Sequence, residues 1–592
     1  MRRLVLLATL VQCGCRTPGL FTIERPSSDT LRQTTQGPVL GGDGRYGSHA
    51  WLGVPFAQPP VGPLRWRAPR APAPWSGTRE ATSFGAACPQ QGSAMSNSES
   101  GAITGSEDCL TLSLWAPPLK PAEVATTKLP VMVWIHGGGN SIGTVSFYDG
   151  GRLATEQQAL VIGVQYRLGP LGWFRHAALR EGADQFDASG NFGTLDLIRA
   201  LQWVRDNARA FGGDPDNVTI FGESAGGLDT YTLLLSPLAK GLFHRAIIES
   251  GGLWSEAPEY AEAPQAAGGH KNSSTEVITR LLVSAGKAPD EAKARALLAT
   301  MPATELATWL RSLPAKALFA GYGTGRALGM LDAPLVFAEG TVLPKGDWLE
   351  QFSKPDGWNR VPVIVGTNRD EMRLFLFLDP KRTHKALGLF PRLDDEANFT
   401  ATADAMSRFW KLTGVDRPLS AMASSGATEL YAYRWDWHDE PTTGGSDLSV
   451  MLGAGHGLEV PFVFGHFQMG PLNVIFTPQN EAQREAISSA MRSAWGHFAK
   501  TGEPGGAWAR WTTQAHQNLV FDVAANGGIR PQTLVEDGER IIADTLADAR
   551  LKTPKARCEV LHDLAAWGRA VGRATYDTQP MCSDFAFDEY PW

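Results

Sequence analysis

The chain has 592 residues, of which 43% are hydrophobic and 19% charged. This balance is typical of a folded globular protein and excludes a largely disordered chain. The formal net charge is −7. The excess of basic residues that is typical of nucleic-acid-binding proteins is therefore missing, and no nucleic-acid partner is expected. No run of about 18 apolar residues follows the N-terminus, and no membrane-spanning helix is expected.

The N-terminus resembles a secretion signal. Two arginines precede an almost wholly apolar run at 4–11, and this pattern predicts a signal peptide over residues 1–15, with a buried strand as the alternative. Cys13 and Cys15 stand where a lipoprotein would carry its lipidated cysteine, but Gln12 fits that signal poorly. The predicted location is secreted or periplasmic. A membrane-anchored lipoprotein is the alternative, and its lipid would be the one membrane contact.

The other four cysteines are predicted to form two disulfides, Cys88–Cys109 and Cys558–Cys582. Short loops lose the least entropy on closure, and an export signal implies an oxidising compartment. Four buried free thiols are the alternative. The spacing of Cys and His residues matches no zinc site, and no metal is expected.

Residues 16–35 are polar and contain Pro, Ser and Thr, which predicts a linker before a single domain over 36–592. Continuous apolar runs then predict strands buried on both faces, as in a parallel sheet. These runs lie at 129–135, 159–165, 218–221, 246–248 and 361–365.

Helices are expected between these strands. Apolar residues recur at helical spacing over 195–210, and a second helix runs from Ser224 towards Leu235. Strands alternating with helices predict one doubly wound α/β sheet, mostly parallel and flanked by helices. Residues 256–345 and 395–450 are interpreted as helical insertions that form the pocket or a lid.

The segment Gly222-Glu223-Ser224-Ala225-Gly226 fits the pattern G-x-S-x-G. It lies between a short apolar strand and a helical run, as a nucleophile elbow requires. Glycine is needed on both sides of the turn because a Cβ would clash with neighbouring backbone. The alternative is a glycine-rich strand-to-helix turn without catalytic function.

Three glycines, Gly137 to Gly139, follow His136 after a predicted buried strand. Consecutive glycines allow backbone N–H groups to face a ligand, which suits an oxyanion hole completed by the N–H of Ala225. A flexible loop is the alternative. A phosphate-binding loop is disfavoured because no Lys-Ser/Thr follows.

A serine nucleophile needs a base, and the base needs an orienting carboxylate. The chain has 12 histidines, and His456 is flanked by Gly455 and Gly457. Asp370 and Glu371 follow a predicted strand and a turn. The residues alone leave the choice of histidine and acid open.

The chain resembles the type-B carboxylesterases, the branch of the α/β-hydrolases that includes cholinesterases and bacterial para-nitrobenzyl esterases. The matching segments keep the family's order over roughly 36–530. They lie at 51–57, 59–66, 106–110, 134–139, 166–169, 191–193, 211–215, 221–226, 366–371 and 455–462.

The resemblance implies the α/β-hydrolase fold and a complete catalytic site. The residues implied are Ser224 as nucleophile, His456 as base, Glu371 rather than Asp370 as acid, and Gly138, Gly139 and Ala225 as oxyanion donors. Cys88–Cys109 resembles the family's N-terminal disulfide. Asn140 follows the glycines where an aromatic residue is common, and Asp229 stands where the family usually has a small or apolar residue.

The expected function is that of a serine carboxylic-ester hydrolase, which acts on a small-molecule ester through an acyl-enzyme and needs no cofactor. An amidase or lactonase with the same triad is one alternative. A non-catalytic adhesion homologue is another, disfavoured by the retained triad. In cholinesterases a tryptophan in the N-terminal disulfide loop receives the choline cation. The corresponding loop, 89–108, contains no Trp, Tyr or Phe. No oligomeric state is predicted.

Overall fold

The computed structural model describes residues 21–23, 25–93, 101–323, 329–386, 390–568 and 572–587. The predicted signal at 1–15, with Cys13 and Cys15, lies outside the described residues and stays a prediction. Within the described ranges, no helix combines the length and the apolar character needed to cross a membrane.

Among the described residues, the strands form one large sheet and three two-stranded sheets. In chain order the strands are β1 (Pro26–Gln33), β2 (Pro38–Asp43), β3 (His49–Pro55), β4 (Arg79–Glu80), β5 (Gln90–Gln91), β6 (Ile103–Thr104), β7 (Thr111–Ala116), β8 (Leu129–Ile135), β9 (Leu160–Val164), β10 (Gly213–Glu223), β11 (Arg245–Glu249), β12 (Val363–Asn368), β13 (Thr383–Ala386), β14 (Phe390–Leu393), β15 (Leu430–Trp435), β16 (Thr442–Thr443), β17 (Ser446–Asp447), β18 (Gln517–Phe521) and β19 (Arg530–Thr533).

The large sheet runs in the order β1-β2-β3-β7-β9-β8-β10-β11-β12-β15-β18-β19, with β4 paired to β2. The strands from β9 to β18 along this path pair in parallel. The pairs from β1 to β9 and the pair β18–β19 are antiparallel. The prediction of a mostly parallel α/β sheet is confirmed.

Helices connect the strands and cover the sheet. They are α1 (Pro121–Val124), α2 (Gly151–Gln157), α3 (Gly169–Gly172), α4 (Ala177–Arg180), α5 (Phe192–Asn207), α6 (Ala225–Leu235), α7 (Pro258–Glu262), α8 (Ser274–Ser284), α9 (Glu291–Thr300), α10 (Ala303–Ser312), α11 (Ala315–Ala320), α12 (Trp348–Phe352), α13 (Glu371–Phe377), α14 (Glu396–Lys411), α15 (Arg417–Ser424), α16 (Leu448–Met451), α17 (Val460–Phe464), α18 (Glu481–Thr501), α19 (Gly538–Ala547), α20 (Pro554–Gly568) and α21 (Arg573–Asp577).

The central strand β8 shows why the apolar runs become strands. It is buried along its whole length and lies between β9 and β10, parallel to both. Val131 and Val133 belong to one core cluster, whereas Met132 and Trp134 belong to the other. Because successive side chains of a strand point to opposite faces, the two cores lie on the two faces of the sheet. A run covered on both faces is apolar throughout.

The register of these strands places the site. Ile135 at the end of β8 pairs with Gly222 near the end of β10, and Glu223 pairs with Glu249 at the end of β11. The carboxyl ends of parallel strands meet at one edge, where α/β sheets bind ligands. The loops that follow β8, β10 and β11 therefore start close together.

The structure corrects two predictions about the chain's organisation. The predicted linker over 16–35 is wrong for Pro26–Gln33, which forms β1 and pairs with β2. Most β1 side chains are exposed and polar, as is common on an edge strand, so composition alone suggested a linker. The expected insertion at 256–345 is helical, containing α7 to α11, whereas 395–450 also contains the sheet strand β15.

Both predicted disulfides, Cys88–Cys109 and Cys558–Cys582, are present in the structure. The second lies in a C-terminal cap, which we define as α19, α20 and α21 with their connections. Cap residues share a third core cluster with Met372 of α13 and Phe409 of α14. The cap therefore packs against the two helices that adjoin the predicted acid Glu371.

Candidate active site

Ser224 lies in a sharp turn between β10 and α6. Its backbone has φ +58° and ψ −119°, a combination that non-glycine residues rarely adopt and that occurs at nucleophile elbows. The turn is held by the Ser224 N–H, which donates to the Glu249 carbonyl oxygen at 2.9 Å. The serine is partly exposed, although both neighbours are buried.

Two glycines make this turn possible. A Cβ added to Gly222 would lie 2.5 Å from the Gly226 carbonyl oxygen. A Cβ added to Gly226 would overlap the Ile135 carbonyl oxygen at the end of β8. Substitution at either position would push the turn away from β8, as the motif predicted.

The glycine loop that follows β8 packs beside this turn. Gly138 and Gly139 have φ values of +106° and +60°, in the region that favours glycine. A Cβ on Gly137 would lie 3.0 Å from the Ser224 Cβ, and one on Gly139 would lie 2.7 Å from the Met330 sulfur. The loop thus lies between Ser224 and Met330. The structure brings it together with Ala225, the first residue of α6.

His456 lies in the turn between α16 and α17 and is buried. Its Nδ1 atom is 2.5 Å from Glu371 Oε2. The other carboxylate oxygen, Oε1, accepts hydrogen bonds from the Asn368 N–H at 2.7 Å and the Thr367 hydroxyl at 2.8 Å. The carboxylate is fully buried, so its position is fixed by these bonds and by packing.

The neighbouring acid Asp370 has a different set of contacts. Its Oδ2 accepts from Arg369 Nη2 at 2.6 Å and from the Ala454 N–H at 3.0 Å, and its Oδ1 lies 3.3 Å from Arg373 Nη2. Burial raises the pKa of Asp370, but the two arginines and the Ala454 N–H outweigh it, so the pKa is lowered. Asp370 anchors the loop that carries His456, whereas Glu371 contacts the imidazole.

The free nitrogen of His456 faces the Ser224 turn. Its Nε2 atom lies 3.2 Å from Glu223 Oε1 and makes no hydrogen bond to any described residue. Burial lowers the pKa of His456, but the nearby carboxylates Glu223 and Glu371 outweigh burial and raise it. The ring packs against both Phe375 and Trp410, with centroids 5.0 Å and 4.8 Å away, and these two aromatic rings stack on each other.

Further buried glutamates lie in the same cluster as Glu223 and Glu371. Burial raises the pKa of Glu223 to about 7 and that of Glu249 to about 8, and raises that of Glu459 well above its usual range. Glu459 accepts a hydrogen bond from Asn368 Nδ2 at 2.5 Å. Because protonated carboxyls carry no charge, protonation of Glu249 and Glu459 leaves fewer anions in the cluster.

Sequence reasoning missed most of these neighbours. Glu223 occupies the variable position of the G-x-S-x-G motif, which carries no signal of its own. Trp410 comes from a distant segment that the fold brings to His456. The spacing of Glu459 three residues after His456 is too common to single it out.

A parallel sheet with a strand–serine–helix turn, a glycine loop and a buried histidine–glutamate pair defines an α/β-hydrolase. The model of the carboxylesterase family matches residues 28–399 and 391–533. The chain belongs to the carboxylesterase family and is a carboxylic ester hydrolase.

Relatives and solved structures agree with this assignment. The para-nitrobenzyl esterase of Bacillus subtilis is 32% identical over 524 residues, which cover 83% of this chain and 94% of the relative. The fumonisin B1 esterase of Sphingopyxis macrogoltabida is 34% identical over 496 residues, covering 80% and 82%. The carboxylesterase structure of Geobacillus stearothermophilus has a TM-score of 0.64 at 30% identity, covering 87% and 99%.

Proposed function

We propose that this hydrolase cleaves small neutral carboxylic esters through a triad of Ser224, His456 and Glu371. The observation that carries the proposal is the 2.5 Å contact between His456 Nδ1 and Glu371 Oε2, beside a turn that presents a serine. Such a contact fixes the tautomer in which Nε2 is unprotonated and can accept the serine proton.

The reaction follows from these roles. Ser224 attacks the ester carbonyl while His456 takes its proton, and the N–H groups of Gly138, Gly139 and Ala225 stabilise the oxyanion. His456 then protonates the leaving alcohol, which departs and leaves an acyl-enzyme. Water, deprotonated by His456, attacks the acyl group, and His456 then gives that proton to Ser224 Oγ as the acid leaves. Glu371 stabilises the imidazolium formed in each half-reaction.

A neutral substrate is favoured by the surroundings of the reacting atoms. Phe375 and Trp410 pack against the imidazole, and Met330 packs against the glycine loop. These side chains offer apolar and aromatic contact. A free carboxylate on the substrate would instead approach Glu223 and Glu371, which disfavours its binding. We expect the group nearest His456 to be apolar.

An amidase or lactonase could use the same triad, and a substrate panel separates these activities. Purified protein would be assayed with chromogenic esters of graded acyl length, the matching anilides and simple lactones. The proposal predicts that kcat/KM is highest for an ester. It also predicts that Ser224→Ala abolishes turnover of every substrate that the wild type accepts. A preference for anilides or lactones would reassign the reaction.

We also propose that the protein is exported, as the sequence at 1–15 predicts. The disulfides Cys88–Cys109 and Cys558–Cys582 support an oxidising destination. A lipid on Cys13 or Cys15 is the alternative to free secretion. The mass of the N-terminal peptide from the native host distinguishes cleavage alone from cleavage with acylation.

A further inference from the structure

Asn140, directly after the glycine loop, is held in an unusual conformation. Its φ is +53°, and its side chain is buried. The Gly169 N–H donates to its carbonyl oxygen at 2.6 Å. The Tyr166 hydroxyl donates to the His136 carbonyl oxygen at 2.6 Å and lies 3.3 Å from Asn140 Oδ1. Asparagine tolerates a positive φ better than most residues, so it suits this position at the end of the glycine loop.

The Asn140 amide reaches the helix that follows Ser224. Its Nδ2 donates to Asp229 Oδ1 at 3.1 Å. Asp229 is the fifth residue of α6, in which every residue is buried. Its second oxygen, Oδ2, has no partner among the described residues. Both side chains depart from the resemblance, which led us to expect an aromatic residue at position 140 and a small or apolar residue at position 229.

Asp229 is suited to hydrogen bonding rather than to ion pairing. Burial raises the pKa of its carboxyl to about 8, although the hydrogen bond from Asn140 opposes the shift. At neutral pH the group is mostly a neutral carboxylic acid. A buried polar group costs free energy unless it is hydrogen-bonded, so in α6 the pair is destabilising unless its bond is kept.

We propose that Asn140 and Asp229 are positioning residues that lock the glycine loop to helix α6 and so fix the oxyanion hole. The hole draws donors from two separate elements, with Gly138 and Gly139 on the loop and Ala225 on the helix. The Asn140–Asp229 hydrogen bond joins these two elements directly. The inference rests on the proposed oxyanion role of these three N–H groups.

The expected effect is on the chemical step. Donors of an oxyanion hole act on charge that develops in the transition state, and loss of one donor lowers kcat by about 10²–10³-fold. Loosening the hole without removing a donor should lower kcat by about 10- to 100-fold. Ground-state binding changes little, so KM should stay within about threefold.

The test compares four variants with the wild type. Asp229→Leu removes the acceptor while it keeps the branched shape of the side chain, and Asn140→Gly removes the donor at a position where glycine is unstrained. The double variant shows whether both substitutions lower kcat through loss of the same hydrogen bond. Asp229→Asn is the conservative variant, because its amide oxygen still accepts from Asn140.

A matched control lies at the other end of the same helix. Asn359 Nδ2 donates to the Leu233 and Ser236 carbonyl oxygens at 3.0 Å and 2.8 Å. Asn359→Ala therefore removes two hydrogen bonds that hold α6 without touching the loop. For each protein we would measure kcat, KM, Tm and the inhibition constant of a trifluoromethyl ketone, which adds to an active serine and forms an oxyanion.

We expect Asp229→Leu and Asn140→Gly each to lower kcat and weaken ketone inhibition by 10- to 100-fold, with the double variant no worse than either. Asp229→Asn should keep most activity, and Asn359→Ala should lower Tm without lowering kcat. The proposal fails if Asp229→Leu and Asn140→Gly keep wild-type kcat and ketone inhibition, or if Asn359→Ala lowers them equally. If Asp229→Leu does not fold, the kcat and ketone inhibition of Asn140→Gly alone test the proposal in the same way.

The proposed function fails in a different way. If Ser224→Ala retains ester turnover and reversible ketone inhibition, then the oxyanion site itself is misplaced. If Ser224→Ala is inactive while the Asn140 and Asp229 variants behave as the wild type, only the positioning role is lost.

Discussion

Two adjacent acids show how much depends on a single residue. Asp370 and Glu371 are neighbours in the chain, yet Glu371 contacts His456 Nδ1 and Asp370 binds two arginines and the Ala454 N–H. Their pattern in the sequence did not separate them. The distinction depends on the turn after β12, where α13 begins at Glu371.

Substitution of the two acids should therefore have different consequences. Glu371→Gln keeps the volume but offers an N–H to His456 Nδ1, which favours the tautomer that cannot accept the serine proton. We expect kcat to fall by about a thousandfold or more with little change in KM. Asp370→Asn should mainly lower Tm. Steady-state kinetics and thermal unfolding of both variants test this. A large loss of kcat in Asp370→Asn with a mild effect of Glu371→Gln would show that Asp370 is the catalytic acid.

The pH dependence of activity should report the carboxylates around His456. Only the neutral imidazole accepts the serine proton, and Glu223 and Glu371 raise the pKa of His456. A raised pKa keeps the proton on the ring to higher pH, so kcat/KM should fall as pH drops through a midpoint above about 6.5. Glu223→Gln removes one anion and should move the midpoint to lower pH. An unchanged or higher midpoint in that variant would contradict this account.

Substrate charge gives another prediction at the residue level. The loop at 89–108 has no aromatic residue, so it lacks a cation–π partner for choline. We expect no preference for acetylcholine over its uncharged carbon isostere. The ratio of the two kcat/KM values measures this, and a preference for acetylcholine above about tenfold, roughly 1.4 kcal/mol, would contradict the prediction.

The elements divide into those that the sequence predicts well and those that it does not. Strands β8 to β12 each contain a buried apolar run, and these runs predicted their positions. The exposed edge strand β1 and the sheet strand β15 were missed, because β1 is largely polar and β15 lies between helical segments.

In the candidate site, the sequence motifs predicted Ser224 and the glycine loop. The Asn140–Asp229 bond joins residues 89 apart, and no local pattern reveals it.

The C-terminal cap gives a test of element packing. Its disulfide Cys558–Cys582 closes a sequence separation of 24 residues, and a loop of that size contributes about 3 kcal/mol in the chain-entropy model. The variant Cys558→Ser/Cys582→Ser should lower Tm while kcat well below Tm is retained. Cys88→Ser/Cys109→Ser, with a separation of 21 residues, is the matched control. Loss of kcat without loss of Tm in the cap variant would show that the cap controls the site directly.

For the whole molecule, family membership and chemistry rest on different evidence. The family match covers residues 28–399 and 391–533, and relatives at 32–34% identity span most of the chain. This supports ester hydrolysis, whereas the substrate depends on side chains such as Met330 and Trp410 that family membership does not fix.

Export from the cytoplasm is a separate property of the whole molecule. Peptide mapping without reductant, on protein from its native compartment, should recover both disulfides, and four free thiols would contradict export.

The central claim is that Ser224 is the nucleophile, and covalent labelling tests it most directly. The folded protein would be treated with a fluorophosphonate, and the adduct would be counted by intact mass and located by peptide mapping. We predict one adduct per chain, on Ser224, with loss of ester hydrolysis in proportion to labelling. Ser224→Ala should take no label and lose about three or more orders of magnitude in kcat. A label on another residue, or near-normal turnover by Ser224→Ala, would contradict the account.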